Sequence, residues 1–201
     1  PASGTQTTTM TVGTGGTSTA IWYTSTNGKG YFVMSSSGSN GNFGGRAGAD
    51  ATCLTNLTAG SWLEKASATL DAAHVFSFLC DGTGCNNLQA STIYQFARSG
   101  SGTAGGAIFV TNASGRGPGN GTDWSGATLF NSSQDFWSGR GAGSSTLWPT
   151  TAGGSHCTNW SDGTITPSGV NGRSDRNDDG RWNDGSDSCD SSLRYVCFVN
   201  P

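Results

Sequence analysis

The sequence predicts an α+β domain with two short helices, small antiparallel sheets, long ordered loops and disulfide bonds. Six cysteines, seven tryptophans and nine phenylalanines accompany 33 glycines in 201 residues, and only 11% of the residues are charged. Disordered chains combine few aromatic residues with a high net charge, whereas the formal charge here is −3. The composition therefore predicts a folded domain with a small aromatic core that disulfides reinforce.

Short apolar runs predict the strands. Residues 31–34 and 75–79 are predicted core strands, and residues 88–98 are a strand or a short helix. Two cysteines five positions apart, Cys80 and Cys85, enclose an Asp-Gly pair and predict a stapled turn. The glycine- and serine-rich stretch 99–154 contains three aromatic-bearing apolar islands, which indicate that it is ordered.

The first helix is predicted over residues 47–57, with Ala47, Ala51 and Leu54 on one face and Cys53 beside them. Gly60 supplies a stop signal. A second helical or strand-like stretch follows at residues 62–73.

Residues 1–28 are predicted to lie outside the main domain, which spans residues 29–201. They are mostly Thr, Ser, Gly and Ala, with β propensity but too little apolar surface to fold alone. We interpret them as a strand-forming linker or the end of a fibre or stalk, through which a homotrimer would form. A flexible lead-in is the alternative.

The even number of cysteines predicts disulfides and an extracellular or cell-surface location. Zinc sites use close pairs such as Cys-x2-Cys, usually with histidine, and this chain has no such pair and only His74 and His156. The ten Lys and Arg residues are dispersed, which argues against nucleic acid or an anionic membrane as a partner. No apolar run predicts membrane insertion.

Three stretches of the sequence resemble a known fold. Residues 43–53 read Phe-Gly-Gly-Arg-Ala-Gly-Ala-Asp-Ala-Thr-Cys, residues 136–139 read Phe-Trp-Ser-Gly, and residues 157–160 read Cys-Thr-Asn-Trp, with Cys189 and a final Tyr-Val-Cys at 195–197. Their order resembles the C-type-lectin-like fold, and within it the branch that contains the collagen-derived endostatin domain and leptospiral-type bacterial surface domains. The resemblance covers residues 30–201.

The resemblance implies a disulfide pattern out of the 15 that six cysteines allow. Cys53–Cys197 would tie the first helix to the last strand, and Cys157–Cys189 would fix the long polar loop. Cys80–Cys85 would be an addition of this chain.

The acidic segment of the long loop is a candidate calcium site. Residues 175–180 match the first half of an EF-hand-type loop, in which alternate oxygens and a glycine turn wrap Ca²⁺. The Trp-Asn-Asp at 182–184 resembles the triplet that holds calcium and sugar in calcium-dependent lectins. The predicted ligands are Asp175, Asn177, Asp179 and Asp184. The twelfth-position Glu and an upstream Glu-Pro-Asn partner are missing, so a solvated turn pinned by Asn and Asp hydrogen bonds is the alternative.

Loop tryptophans are candidate sugar contacts. Trp137 and Trp160 match core positions of the resembled fold, whereas Trp124 and Trp148 are flanked by small polar residues that favour exposure. The predicted ligand-binding residues are Trp124, Trp148, Asn183 and Asp184.

No catalytic residues are predicted. Glu64 is the only glutamate, which leaves little for paired-carboxylate chemistry, and neither histidine lies near a nucleophile-elbow motif. The sequence thus predicts a non-catalytic adhesin domain at the tip of a bacterial surface or fibre protein, binding a glycan or another cell-surface ligand. The alternatives are an enzyme like the formylglycine-generating oxidase, which needs a reactive thiol, and a ligand-free fibre cap.

Overall fold

The computed structural model describes residues 6–10, 21–25, 29–59, 70–96, 108–117, 134–141, 154–176 and 182–201. Within these ranges the chain is a mixed α+β structure with four small sheets and three disulfides, as the sequence predicts. The strands are β1 (Gln6–Met10), β2 (Ile21–Ser25), β3 (Lys29–Met34), β4 (Val75–Ser77), β5 (Cys80–Asp81), β6 (Gly84–Cys85), β7 (Ile93–Phe96), β8 (Ile108–Val110), β9 (Asp135–Trp137), β10 (Ser168–Arg173), β11 (Gly185–Ser188) and β12 (Val196–Val199). The helical segments are α1 (Arg46–Ala59) and α2 (Cys157–Trp160).

The largest sheet has five strands in the order β4-β12-β3-β7-β8, and only the β3–β7 pair is parallel. Phe32 on β3 lies opposite Phe198 on β12, and both rings are buried with Phe78 in an aromatic cluster. The ring centroids of Phe32 and Phe78 are 5.0 Å apart in an edge-on arrangement, which aromatic pairs favour. This cluster covers one face of the sheet.

Helix α1 covers the other face of the five-stranded sheet. Its buried residues recur every four positions, as an amphipathic helix requires, at Ala49, Cys53 and Leu57. The predicted helix over residues 47–57 is confirmed and extends to Arg46–Ala59, but the predicted face is wrong, since Ala47 and Ala51 are exposed and Leu54 is only half-buried.

Two tertiary contacts set the rotation of α1. Cys53 is bonded to Cys197 on β12, and Asp50 Oδ1 accepts hydrogen bonds from the Ser77 backbone N–H (2.7 Å) and hydroxyl (2.6 Å) on β4. Small apolar side chains such as Ala47 and Ala51 gain too little from burial to oppose these contacts.

All six cysteines are paired as the resemblance implies: Cys53–Cys197, Cys80–Cys85 and Cys157–Cys189. The second pair closes the β5–β6 hairpin, which confirms the predicted stapled turn.

The threonine-rich start contains two strands in its described residues. β1 and β2 form an antiparallel pair, and β2 runs close to β7 and β8. The domain boundary at residue 28 remains a prediction. Among the residues that the structure describes, no helix is long and apolar enough to cross a membrane.

Candidate functional site on the three-stranded sheet

The second sheet, in the order β11-β10-β9, brings together polar residues that are far apart in sequence. Arg173 on β10 lies opposite Asp135 on β9, while Asn171 lies opposite Gly185 on β11. Because alternate residues of a strand point to the same face, Asn171 and Arg173 share a face. Asp187, two residues after Gly185, shares that face as well.

We call this arrangement the charged face. It comprises Asp135, Asn171, Arg173, Asp175, Arg176, Asp184 and Asp187.

Ion pairs of alternating sign link Asp175, Arg173, Asp184 and Arg176. Arg173 Nε lies 2.8 Å from Asp175 Oδ1, and another Arg173 nitrogen lies 3.9 Å from Asp184. Asp184 also lies 3.4 Å from a guanidinium nitrogen of Arg176. These side chains are between 22% and 44% exposed, so water screens the pairs and each contributes less than about 1 kcal/mol to stability.

The charged face is acidic on balance. Partial desolvation raises the pKa of Asp135, and the positive charge of Arg173 opposes this shift. The negative charges of Asp184, Asp187 and Asp175 raise the pKa further, and the net direction is upward. The net charge itself follows from the residues of the charged face, which are four carboxylates and two guanidinium groups.

Asn171 lies two residues before Arg173 on β10, and its side chain belongs to the buried part of the charged face. The residue is only 6% exposed. Its Nδ2 donates a hydrogen bond of 2.6 Å to Asp187 Oδ2. Its Oδ1 is buried and has no hydrogen-bond partner in the described part of the chain. Gly185 faces this oxygen, since a Cβ placed on Gly185 would lie 3.4 Å from it.

The structure brings together two of the predicted calcium ligands. Asp175 and Asp184 meet through Arg173, and the half-buried Asn183 precedes Asp184. Asn177, Asp179, Trp124 and Trp148 lie outside the described residues. Within the described ranges, no group of three or more His, Cys, Asp or Glu side chains is placed to hold a metal ion.

Three tryptophans belong to the core. Trp137 and Trp160 are buried, as predicted, and their Nε1 atoms donate to the backbone oxygens of Ser39 (2.8 Å) and Cys80 (2.7 Å). Trp182, the first residue of the lectin-like triplet, is also buried, and the Arg140 guanidinium lies 5.6 Å from its ring centroid.

Sequence reasoning missed Asp135, Asn171, Arg173 and Asp187. Asp135 precedes an apolar pair and joins the others only through the β9–β10 pairing, in which partners lie 34 to 38 residues apart and which local patterns do not encode. Asp187 lies one position after the place where an EF-hand loop has its glutamate. This position was the sequence signal that could have identified Asp187 as a site residue.

A second polar surface surrounds α2. Its four residues, Cys157, Thr158, Asn159 and Trp160, all have φ between 48° and 62° and form a left-handed turn. This conformation costs non-glycine residues roughly 1–2 kcal/mol each. The Cys157–Cys189 disulfide, the buried Trp160 ring and a hydrogen bond of 3.0 Å from the Gly82 N–H to Asn159 Oδ1 hold it.

The β5–β6 hairpin beside this turn is held by charge as well as by its disulfide. Asp81 Oδ1 accepts hydrogen bonds from the Thr83 N–H (2.8 Å) and hydroxyl (2.7 Å) and lies 3.4 Å from Arg46. Burial raises the pKa of Asp81, but these hydrogen bonds and the Arg46 charge outweigh burial and lower it.

Both histidines make local structural contacts. His156 Nδ1 accepts the Asn159 N–H at 2.9 Å and caps the left-handed turn, and His74 Nδ1 lies 2.6 Å from Asp71. These contacts agree with a structural interpretation of His156.

The chain matches no protein-family model and no curated protein sequence. Arguments about function therefore rest on the geometry described above.

Proposed function

We propose that this protein is an extracellular recognition domain with a C-type-lectin-like fold that binds a glycan or a similarly polar cell-surface ligand on the charged face. The observation that carries this proposal is the row of Asp175, Arg173, Asp184 and Arg176 at one end of the three-stranded sheet. Carboxylate and guanidinium groups are planar and form paired hydrogen bonds, which suit the adjacent hydroxyls of a sugar.

Three features support the C-type-lectin-like part of the proposal. The cysteines pair in the pattern that the resemblance implies, the terminal strand β12 lies inside the main sheet between β4 and β3, and Trp137 and Trp160 are core residues. The disulfides also favour an oxidising, extracellular location. We further propose that the domain is the tip of a bacterial surface or fibre protein, with the β1–β2 region as the site of a homotrimer.

The enzyme alternative has less support. An oxidase of the formylglycine-generating type needs a reactive thiol, and all six cysteines are in disulfides. Because fold does not determine function, the choice between a binding domain and a ligand-free cap depends on a ligand being found.

A glycan array tests the proposal, followed by titration of each hit with the wild type and two variants. Arg173→Gln removes the central cation of the row, and Arg116→Gln makes the same change at an exposed position after β8. We expect at least a tenfold loss of affinity in the first variant and none in the second. Equal affinity in both variants would place the ligand elsewhere, and an array without hits would favour the cap.

A further inference from the structure

His156 caps the left-handed turn of α2 with a nitrogen that is an acceptor in only one protonation state. Its Nδ1 accepts the backbone N–H of Asn159 at 2.9 Å, as the side chain of an N-cap residue does. A backbone N–H can only donate, so Nδ1 carries no hydrogen and the neutral ring holds its hydrogen on Nε2. Serine, threonine and asparagine, which are common caps, keep their acceptor oxygen in mild acid. A histidine cap is lost when the ring takes up a second proton, which imidazoles in water do at about pH 6.5.

The turn depends on such contacts because its backbone conformation is unfavourable by itself. All four residues of α2 have positive φ although none is a glycine, and Thr158 is β-branched, a class that rarely adopts this region. Residues keep such conformations only where the surrounding structure holds them. The buried ring of Trp160 and a disulfide hold the two ends of the turn. The His156 cap and a bond from Gly82 hold the exposed Asn159 in its middle.

The same residues join the turn to the β5–β6 hairpin. Asn159 Oδ1 accepts the Gly82 N–H at 3.0 Å, a contact across 77 residues. The His156 ring lies at this contact as well, because a Cβ placed on Gly82 would be 3.4 Å from the ring Nε2. Gly82, Thr158 and Asn159 are exposed. A change in the cap would therefore alter a polar surface that is open to solvent.

We propose that His156 is an acid-sensitive cap, which holds the turn of α2 against the β5–β6 hairpin when the ring is neutral and releases it when the ring is protonated. Protonation places a hydrogen on Nδ1, so two donors face each other where a hydrogen bond was. Without the cap the residues with positive φ relax, and Asn159 Oδ1 moves away from Gly82. This proposal goes beyond ligand recognition and does not depend on whether the charged face binds a glycan.

The carboxylates nearest the turn do not titrate where a histidine does. Burial raises the pKa of Asp81, but hydrogen bonds from Thr83 and the Arg46 charge outweigh burial and lower it. Hydrogen bonds from Thr164 lower the pKa of Asp162, which follows α2. Both carboxylates stay ionised in mild acid. The charged residues on the elements around His156 are Arg46, Asp81, Arg140, Asp162, Asp187 and Asp190. Within the described ranges, none of them forms an ion pair with His156.

The other histidine has a contact of opposite sign. His74 Nδ1 lies 2.6 Å from Asp71 Oδ1, and because a carboxylate accepts, Nδ1 of His74 is the donor. Protonation of His74 keeps this bond and adds a charge to it, so acid strengthens the His74 contact and breaks the His156 contact. Replacement of each histidine alone therefore assigns any acid response of the turn.

Amide hydrogen exchange, measured by NMR on the whole chain at about pH 7.5 and about pH 5, tests the acid-sensitive cap. After correction for the pH dependence of intrinsic exchange, protection of the Asn159 and Gly82 amides should fall at least about tenfold in acid, whereas amides of β3 and β12 should keep their protection. Long-range ¹H–¹⁵N spectra should show His156 with its hydrogen on Nε2 at the higher pH. A hydrogen on Nδ1 there, or unchanged protection at both amides, would overturn the proposal.

Two substitutions by asparagine locate the effect. His156→Asn replaces Nδ1 by an amide oxygen that accepts at both pH values, so it should abolish the acid-induced loss of protection. His74→Asn, the matched change at the other histidine, should respond like the wild type. If the loss persisted unchanged in His156→Asn, or disappeared in His74→Asn, another group would drive it and the proposal would be wrong.

A third variant separates release of the turn from loss of the cap. Thr158→Gly leaves the cap in place and puts glycine, which adopts positive φ freely, at an exposed position of the turn. In acid this variant should lose less protection at Gly82 than the wild type does, and an equal loss would contradict release by relaxation of the turn. Loss at Asn159 alone in the wild type would show that the cap opens without releasing the hairpin, which also overturns the proposal. Near-UV circular dichroism establishes that each variant is folded, and Thr158→Gly keeps the test decisive if His156→Asn is not.

Discussion

The five-stranded and three-stranded sheets consist of similar short strands but are used differently. On the five-stranded sheet, an aromatic cluster with Phe32 covers one face and α1 covers the other. On the Asn171 face of the three-stranded sheet, the Trp137 ring covers the Gly169 end, and the Asp135–Arg173 end carries charges. One sheet is buried as a core, and the other is buried at one end and exposed at the opposite end.

This difference teaches how a chain with little apolar surface can present a polar surface in a fixed geometry. The three-stranded sheet is held in place by the buried Trp137 and by the Cys157–Cys189 disulfide. Cys157 lies before β10 in the sequence, and Cys189 directly follows β11. The rest of the sheet does not need apolar cover. The core sheet should therefore respond strongly to substitutions and the charged face weakly.

Removal of disulfides should produce the largest effect. By the loop-length relation, Cys53–Cys197, which spans 144 residues, restricts the unfolded chain by about 5 kcal/mol, and Cys80–Cys85, which spans 5 residues, by about 2 kcal/mol. We expect the Cys53→Ala, Cys197→Ala double variant to be about 3 kcal/mol less stable than the Cys80→Ala, Cys85→Ala variant. Urea unfolding of both variants measures this difference.

The two variants are matched, because each removes one disulfide with at least one fully buried cysteine. Equal losses of stability would show that unfolded-state entropy does not dominate. The Cys53–Cys197 disulfide between α1 and β12 would then stabilise the protein no more than the local Cys80–Cys85 disulfide does.

The carboxylate that joins α1 to β4 should produce the next largest effect. Asp50 Oδ1 accepts hydrogen bonds from the N–H and hydroxyl of the buried Ser77 and from Asn86 Nδ2 (2.8 Å). Asp50→Ala removes the acceptor of both Ser77 donors, while Asn86 Nδ2 keeps its hydrogen bond to the Ser77 backbone oxygen (2.8 Å). We expect a loss of about 2–3 kcal/mol in the free energy of unfolding.

Asp50→Asn is the control, because its amide oxygen can still accept these bonds. We expect it to lose about 1 kcal/mol, since hydrogen bonds to a charged group are stronger than bonds to a neutral one. If both variants lost the same amount, the charge rather than the bonding geometry would be what Asp50 contributes.

Those parts of the fold that local patterns encode could be predicted from the sequence. The strands at residues 31–34 and 75–77 and the bounds of α1 follow from apolar runs and periodicity, and the disulfide pairing followed from a resemblance in cysteine order. The rotation of α1 could not be predicted, because Asp50 and Cys53 find their partners in β4 and β12.

The candidate site was predictable only in part for the same reason. Asp175 and Asp184 lie in a visibly acidic segment, so composition alone drew attention to them. Asn171 and Asp135 join the site only through strand register. The register sets Asn171 opposite Gly185 and Asp135 opposite Arg173. A shift of one residue in that register would move each of these side chains to the opposite face.

The smallest expected effect tests the electrostatics of the charged face through its pH dependence. The pKa of Asp135 is raised in the folded protein, so ionisation of this carboxyl opposes folding as pH rises through the folded pKa. Asp135→Asn removes that opposition. The variant should match the wild type below about pH 4, where the carboxyl is protonated in both states, and be more stable at pH 7 by at most about 0.5 kcal/mol.

The exposed Asp162 provides a comparison of opposite sign. Hydrogen bonds from the Thr164 hydroxyl (2.7 Å) and N–H (2.8 Å) lower the pKa of Asp162, so its ionised form favours folding above about pH 4 and that contribution is lost as pH falls. Asp162→Asn should therefore be less stable than the wild type at pH 7, and the difference should shrink in acid.

Thermal unfolding of both variants between pH 3 and pH 7, repeated at high salt, measures the two trends. Added salt should diminish the Asp135 effect, which is charge repulsion in part, more than the Asp162 effect, which is local hydrogen bonding. Destabilisation by Asp135→Asn at pH 7 would mean that attraction to the Arg173 charge outweighs both the burial of Asp135 and repulsion by the surrounding carboxylates.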